Sequence, residues 1–159
     1  MSRAALPHIH RLQAAHHVAR WQRLSVYAVG VLLLATGAAW LVLHYSVGAG
    51  AGELPHPLEA LSMRLHGLAA FAGLFMLGVI AAVHVPQGWR LSRRHRWAHQ
   101  RRTGLALCAL AAVLALSGYL LYYFAPEPIR PTLGWAHTGF GVAMALAIAL
   151  HRRSFGHAP

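Results

Sequence analysis

The sequence predicts an all-α fold: an integral membrane four-helix bundle with both termini in the cytoplasm. Three observations carry this prediction. Of the 159 residues, 57% are hydrophobic and only 11% are charged, whereas a soluble domain carries about a quarter charged residues. Four apolar runs are long enough to cross a bilayer, and the arginines alternate between the two ends of these runs.

A membrane-spanning helix needs about 20 predominantly apolar residues. The runs that meet this requirement are Leu24–Val47, Leu65–Val85, Thr103–Phe124 and Leu133–Leu150. They divide the chain into a basic, polar N-terminal segment (1–23), a four-helix transmembrane domain (24–151) and a short tail (152–159). For the second helix, Ser62 is the predicted N-cap, and Pro86, Gly88 and Trp89 are predicted to end it.

The charges are distributed in a way that indicates membrane topology. All 14 basic residues are arginines, against three glutamates. Twelve of the arginines flank the first run, the second connection and the end of the last run: Arg3, Arg11, Arg20, Arg23, Arg90, Arg93, Arg94, Arg96, Arg101, Arg102, Arg152 and Arg153. The positive-inside rule then places both termini and the arginine-rich connection in the cytoplasm. This pattern favours a topology signal and contact with anionic lipid over nucleic-acid binding.

Four histidines lie in phase on two of the apolar runs. His66 and His84 share one run and are about five helical turns apart, while His137 and His151 share another and are about four turns apart. Both intervals therefore return to nearly the same helix face. A histidine in hydrocarbon is costly and usually has a partner or a task. The helix rise places His66 about 27 Å from His84, and His137 about 21 Å from His151. His66 can therefore meet His137 near the outer surface, and His84 can meet His151 near the inner one.

Two imidazoles that approach one metal from opposite sides are the ligand set of a bis-histidine haem. We therefore predict two haems per chain. Cys108 is the only cysteine, which excludes covalent attachment through CxxCH, so the haem would be b-type. Two glycines, Gly73 and Gly141, could offer a surface free of side chains beside the haem, or could simply allow close helix packing. Five arginines could bind the haem propionates, or could simply contact lipid: Arg64, Arg130, Arg20, Arg90 and Arg152.

Several short motifs resemble those of a known family. They are Leu65-His66-Gly67, Thr36-Gly37, Ser117-Gly118-Tyr119 and the 14-residue spacing of His137 and His151. The chain, over roughly 20–152, resembles the bacterial four-helix di-haem cytochromes b, which include the b561 type and the membrane subunits of formate dehydrogenase and nickel hydrogenase. The resemblance implies a multi-pass protein of the bacterial cytoplasmic (inner) membrane. It also implies that His66 and His137 bind the outer haem and that His151 binds the inner one.

The second ligand of the inner haem has two candidates. Many members of this family place a histidine followed by tryptophan at the inner start of the first helix, where this chain has Arg20-Trp21-Gln22-Arg23. The alternatives are His84 and His17. We predict His84, because it shares a helix face with His66. Histidine pairs on the second and fourth helices also resemble, more weakly, the cytochrome b of quinol–cytochrome c reductases.

The predicted function is membrane electron transfer by b-type haems, between a redox partner on the outer side and either quinone or a partner on the inner side. The expected partners are a redox protein, quinone and membrane lipid, in a homodimer or as a subunit of a larger complex, with no nucleic acid. The chain has no nucleotide fingerprint, phosphate loop or cysteine cluster, so it would not oxidise a soluble substrate alone. The alternatives are a histidine-lined proton or metal channel or transporter, which the lack of acidic residues inside the spans disfavours, and a plain membrane anchor.

Overall fold

The computed structural model describes residues 19–92 and 98–153, with side chains over 19–90 and 101–152. These residues form four helices, with one 3-10 turn at Ala49–Ala51: α1 (Arg20–Val47), α2 (Pro57–Ser92), α3 (Ala98–Tyr123) and α4 (Arg130–Arg153). Of the predicted N-terminal segment and tail, only 19–23 and 152–153 are described, and His17 lies outside the described residues.

All four helices are long and apolar enough to cross a membrane, which confirms the four predicted spans and the all-α class. The described residues contain no strand. Every helix is longer than the apolar run that predicted it. The reason is that hydropathy marks only the stretch suited to hydrocarbon, while backbone hydrogen bonding continues into the polar flanks.

The predicted limits of the second helix were wrong at both ends. α2 begins at Pro57 rather than near Ser62, because Pro at a first helical position has no N–H to leave unsatisfied. The carboxylate of Glu59, two residues on, accepts the backbone N–H of His56 at 2.9 Å, as in a capping box. At the other end α2 continues through Pro86 to Ser92.

The helices pack as two antiparallel hairpins. α1 packs mainly on α2, and α3 mainly on α4, with smaller contacts between α2 and α3 and between α1 and α4. Among the described residues, no Cα atom of α2 lies within 8 Å of one in α4, so these two helices stand diagonally across the bundle. We call the end with Ala49–Ala51 and the α3–α4 connection the turn end, and the opposite end, with Arg20 and Arg153, the terminal end.

Small and medium-sized residues fill the described interior. The buried hydrophobic residues are Ala69, Met76 and Ala125, and no large side chain in the described part of the chain is fully buried. Most large apolar side chains point outward, as expected of helices that face lipid. Cofactor sites of helical bundles are built in such interiors, from side chains of facing helices.

Candidate cofactor site

The two diagonal helices bring His66 and His137 together at the turn end. Their ring centroids are 6.4 Å apart, with 70° between the ring planes, although the backbones of α2 and α4 are not in contact. An imidazole nitrogen binds a transition metal at about 2 Å, so two imidazoles on opposite sides of one metal have centroids about 6 Å apart. The separation of this pair fits a shared metal.

A hydroxyl on α1 lies beside the imidazole of His66. The buried side chain of Thr36 has its oxygen 3.0 Å from Nδ1 of His66, and the Leu32 carbonyl oxygen lies 2.7 Å from the same hydroxyl. When the hydroxyl donates to Leu32, Thr36 accepts from His66 and Nδ1 carries the imidazole proton. This leaves the lone pair on Nε2, the nitrogen that would bind a metal.

His137 has the same arrangement on the other hairpin. Ser117 on α3 is buried, and its oxygen lies 2.7 Å from Nδ1 of His137. Its hydroxyl donates to the Leu114 carbonyl oxygen at 3.3 Å. When the hydroxyl donates to Leu114, Ser117 accepts from Nδ1 of His137, and Nε2 is then the free ligand atom.

At the terminal end, His151 has its own hydroxyl, because the oxygen of Thr103 lies 2.8 Å from Nδ1. The interval between Thr103 and Ser117 on α3 equals the interval between His137 and His151 on the antiparallel α4. His84 is close enough to His151 to interact with it electrostatically. The two histidine pairs therefore lie about 21 Å apart along α4.

His84 differs from the other three histidines. Within the described residues, no hydroxyl lies within hydrogen-bond distance of its ring. In the antiparallel register that pairs Thr36 with His66, the position on the first helix opposite His84 would be residue 18, which precedes the described residues. The choice between His84 and His17 as the second ligand stays a prediction.

Each hydroxyl is followed by a glycine at which an added Cβ would be in ordinary van der Waals contact with the histidine ring. A Cβ atom on Gly37 would lie 3.5 Å from Cε1 of His66, and one on Gly118 would lie 3.4 Å from Cε1 of His137. The corresponding distance from Gly104 to Cε1 of His151 is 3.9 Å. A hydroxyl therefore contacts three of the four histidines, each from the helix that is paired with the histidine's own.

The glycines and arginines predicted to contact a haem lie in different surroundings. A Cβ on Gly73 would meet α1, 3.3 Å from Cγ1 of Val29, whereas one on Gly141 would meet no atom within 4 Å. Arg130 donates to the Ala125 carbonyl oxygen at 3.0 and 3.3 Å. Contact of these residues, and of the exposed Arg64, Arg20, Arg90 and Arg152, with a cofactor stays a prediction.

Arg130 and Arg152 also make contacts of their own. Arg130 lies 3.8 Å from the exposed Glu127 carboxylate. Arg152 lies over the ring of Tyr27, 4.8 Å from its centroid, and so joins α4 to α1. These contacts hold the helix ends together, and they occupy part of the donor capacity that a propionate would use.

The donor set fits haem better than a bare metal ion. No group of three or more His, Cys, Asp or Glu side chains in the described part of the chain could hold a metal, whereas a closed structural zinc site uses four protein ligands. The facing pair of His66 and His137, each with Nδ1 in contact with a hydroxyl, could supply two axial ligands and leave the remaining positions to a macrocycle.

No known protein family, curated protein or solved structure matches this chain. The site therefore rests on its own geometry.

Thr103 is the functional candidate that the sequence analysis missed, and the role of Thr36 and Ser117 as histidine partners was not recognised. The available signal was the spacing. A hydroxyl residue followed by glycine occurs twice on the third helix, at the same interval as the histidines on the fourth. Recognising it requires the antiparallel register of the two helices.

If the turn-end pair binds a haem, Thr36→Val is expected to raise the midpoint potential of that haem. Without the hydroxyl, His66 loses the acceptor for its Nδ1 proton, so the imidazole becomes a weaker donor and the ferric state is less stabilised. A hydrogen bond of about 1 kcal/mol corresponds to a shift of on the order of 40 mV for one electron. Potentiometric titration of the visible bands measures the shift.

The controls for this prediction are Thr36→Ser, which restores the hydroxyl, and Thr138→Val. Thr138 follows His137 directly, but its hydroxyl donates to the Gly134 carbonyl oxygen at 3.0 Å on its own helix. We expect both controls to keep the wild-type potential. Equal shifts in Thr36→Val and Thr138→Val would show that the hydroxyl of Thr36 does not tune the ligand.

Proposed function

We propose that this protein transfers electrons across a membrane through two non-covalent b-type haems, one at each end of the helical bundle. The observation that carries the proposal is the pair of imidazoles on the diagonal helices, 6.4 Å apart between centroids, each with Nδ1 held by a hydroxyl. His66 and His137 would hold the turn-end haem, and His84 and His151 the terminal-end haem.

Bound haem supplies an iron that accepts and releases one electron without a change of ligands. The chain supplies the rest. The hydroxyls orient the imidazoles and keep Nε2 unprotonated. The surrounding apolar helices exclude water, and the distance of about 21 Å between the two histidine levels separates the sites across most of the hydrocarbon core, which is about 30 Å thick.

Two other functions have less support. A metal channel or transporter would be expected to offer a cluster of several ligands, yet the described histidines occur in pairs without a third metal-binding side chain. A plain anchor gives no reason for three histidines to have the same hydroxyl contact at Nδ1. Buried polar contacts of this kind are retained where they fix the orientation of a ligand.

Electron transfer in sealed vesicles tests this function. The purified protein is reconstituted into liposomes that contain ferricyanide, with potassium and valinomycin to balance charge, and dithionite is added outside. We expect the trapped ferricyanide to be reduced at a rate proportional to protein content. The double variant His66→Ala/His151→Ala, which lacks one ligand of each pair, should abolish this rate. Haem-loaded wild-type protein that reduces no trapped ferricyanide would contradict transmembrane transfer.

The orientation proposed is that the terminal end faces the cytoplasm of a bacterium and the turn end faces outward across the inner membrane, because most of the arginines flank the terminal end. Reporter fusions after Gly52, Ser92 and Glu127 are expected to report outside, inside and outside. The opposite pattern would reverse the assignment of sides.

The partners proposed are a redox protein, quinone and lipid. The resemblance to the di-haem cytochromes b supports these kinds of partner.

A further inference from the structure

The two hairpins are held together more firmly within themselves than to each other. The largest helix contacts lie between α1 and α2 and between α3 and α4. The first hairpin also contains an ion pair, with 2.9 Å between Nδ1 of His44 on α1 and Oε2 of the buried Glu59 on α2. Among the described residues, the contact of α1 with α4 is the smallest of the four helix–helix contacts. We call the line along which α1 meets α4 the seam.

The seam is also a junction that no connection of the chain crosses. The chain passes from one hairpin to the other once, between Ser92 at the end of α2 and Ala98 at the start of α3. α1 and α4 are the first and the last of the four helices, so no connection joins one directly to the other. Hairpins that separate are therefore tethered on the side of α2 and α3, and they part furthest at the seam.

The contacts that orient the histidines stay inside the hairpins. Thr36 on α1 contacts His66 on α2, and Ser117 on α3 contacts His137 on α4. The two histidines of the facing pair, by contrast, come from different hairpins. Separation of the hairpins would therefore open the site between these two histidines while each imidazole keeps the contact with its own hydroxyl.

Two contacts between side chains close the seam, one at each end of the bundle. At the turn end the ring of Tyr45 on α1 stacks on that of Trp135 on α4, with centroids 5.5 Å apart and planes 23° apart. At the terminal end the guanidinium of Arg152 on α4 lies over the ring of Tyr27 on α1, 4.8 Å from its centroid. We call these two the seam contacts. The helix rise places them about 26 Å apart along α4.

Each seam contact lies at the level of one histidine pair. Trp135 precedes His137 by two residues, and Arg152 directly follows His151. The helix rise therefore places each of them within about 3 Å of its histidine along α4. The two seam contacts stand beside the two levels at which the histidines would hold a haem.

We propose that the seam is the entrance through which the protein takes up haem. The hairpins part along the seam to admit haem sideways from the membrane, and the contacts of Tyr45 with Trp135 and of Tyr27 with Arg152 close the seam afterwards. The proposal rests on the proposed function, because its ligand is haem. It also explains why the two axial ligands of one haem would come from different hairpins, since their meeting completes the site only when the seam is closed.

The first test measures how fast haem leaves the full-length protein in nanodiscs. Haem-loaded protein is mixed with an excess of apomyoglobin, whose absorbance reports the haem that it captures. We expect Trp135→Leu to speed release of the turn-end haem, and Tyr27→Leu to speed release of the terminal-end haem. Each effect should be on the order of 5-fold, because one aromatic or cation–π contact is lost from the closed state alone. Trp135 is 56% exposed, so its replacement leaves no buried cavity.

Tyr122→Leu is the matched control for Trp135→Leu. Tyr122 also lies at the turn end and is 80% exposed, but its ring contacts Tyr123 on the same helix, with centroids 4.8 Å apart. This variant should release haem at the wild-type rate. The proposal would be overturned by equal acceleration in Tyr122→Leu and Trp135→Leu, and also by a wild-type rate in Trp135→Leu.

A cross-link across the seam tests the opening in the reverse direction. Tyr45→Cys and Trp135→Cys are combined with Cys108→Ser, and a short bis-maleimide joins the two new thiols. We expect the cross-linked protein to release the turn-end haem at least about 5-fold more slowly than the same protein before cross-linking, because the linker replaces the lost contact. The control pair is Val47→Cys with Leu58→Cys, two exposed positions of the first hairpin. Joining them should leave the rate unchanged.

The same pair of cross-links also tests uptake. When haemin is added to the apoprotein, the low-spin spectrum should appear more slowly with the seam cross-link and at the unmodified rate with the cross-link inside the first hairpin. Equal effects of the two cross-links, or no effect of the seam cross-link, would overturn the seam as the entrance. Wild-type protein that binds no haem at all would instead mean that the proposed function itself has failed.

Discussion

Replacing His137 with alanine is expected to remove the haem at the turn end and leave the haem at the terminal end in place. His137, on α4, faces His66, on α2, across the bundle. Without it the iron would keep one axial histidine, and neither the described metal-binding side chains nor Cys108 forms a cluster that could replace it. Haem content per chain and the reduced spectrum measure the loss.

His66→Ala should produce the same spectrum as His137→Ala, because both truncate the same pair. His151→Ala should remove the other component. His56→Ala is the matched control: His56 also lies at the turn end, but its Nδ1 accepts from the backbone N–H of Leu58 at 3.2 Å, and its removal should leave both haems bound. Unchanged haem content and axial ligation in His137→Ala would show that this pair does not bind haem.

The second large effect is expected at His84. It lies near His151 at the terminal end and on the same helix as His66, about five turns away. We expect His84→Ala to lose the terminal-end haem or to convert it to a high-spin form, since an iron with one axial histidine is five-coordinate. Low-temperature difference spectra and electron paramagnetic resonance detect both outcomes.

His17→Ala is the matched comparison for His84→Ala. We expect it to leave both haems low-spin, because Arg20 and Arg23 follow His17 and arginines at a helix start lie at or beyond the headgroups. Loss of one haem in His17→Ala, with none in His84→Ala, would assign the ligand to the first helix and leave His84 as a histidine at the membrane interface.

The histidine faces were predictable from the sequence because they depend on one helix at a time. An interval close to a whole number of turns points two side chains of a helix in the same direction, whichever helices are neighbours. The four spans were predictable for the same reason, since length and hydropathy belong to each segment separately.

The supporting contacts were not predictable in this way. The hydroxyls of Thr36, Ser117 and Thr103 reach their histidines across two antiparallel helices, so their roles depend on the register between helices. The pairing of His44 with Glu59 likewise depends on how tightly the loop after α1 turns, which Gly48 and Gly50 permit.

The limits of α2 were missed because local signals were given too much weight. Ser62 is a favourable N-cap residue, but it lies buried inside a helix that starts at Pro57. Pro86 lacks a backbone donor, yet it is tolerated near the end of the helix, since freed backbone groups in such helices can be satisfied by other partners.

Haem stoichiometry tests the central claim most directly, because both histidine pairs must bind for the account to hold. The full-length protein is purified after haem-replete expression, its haem is identified and counted by the pyridine haemochrome method, and electron paramagnetic resonance is recorded on the same oxidised sample. The account predicts two b-type haems per chain, both low-spin with bis-histidine ligation. A single haem per chain would contradict the assignment of His84 and His151 as haem ligands. Colourless protein would contradict the assignment of all four histidines.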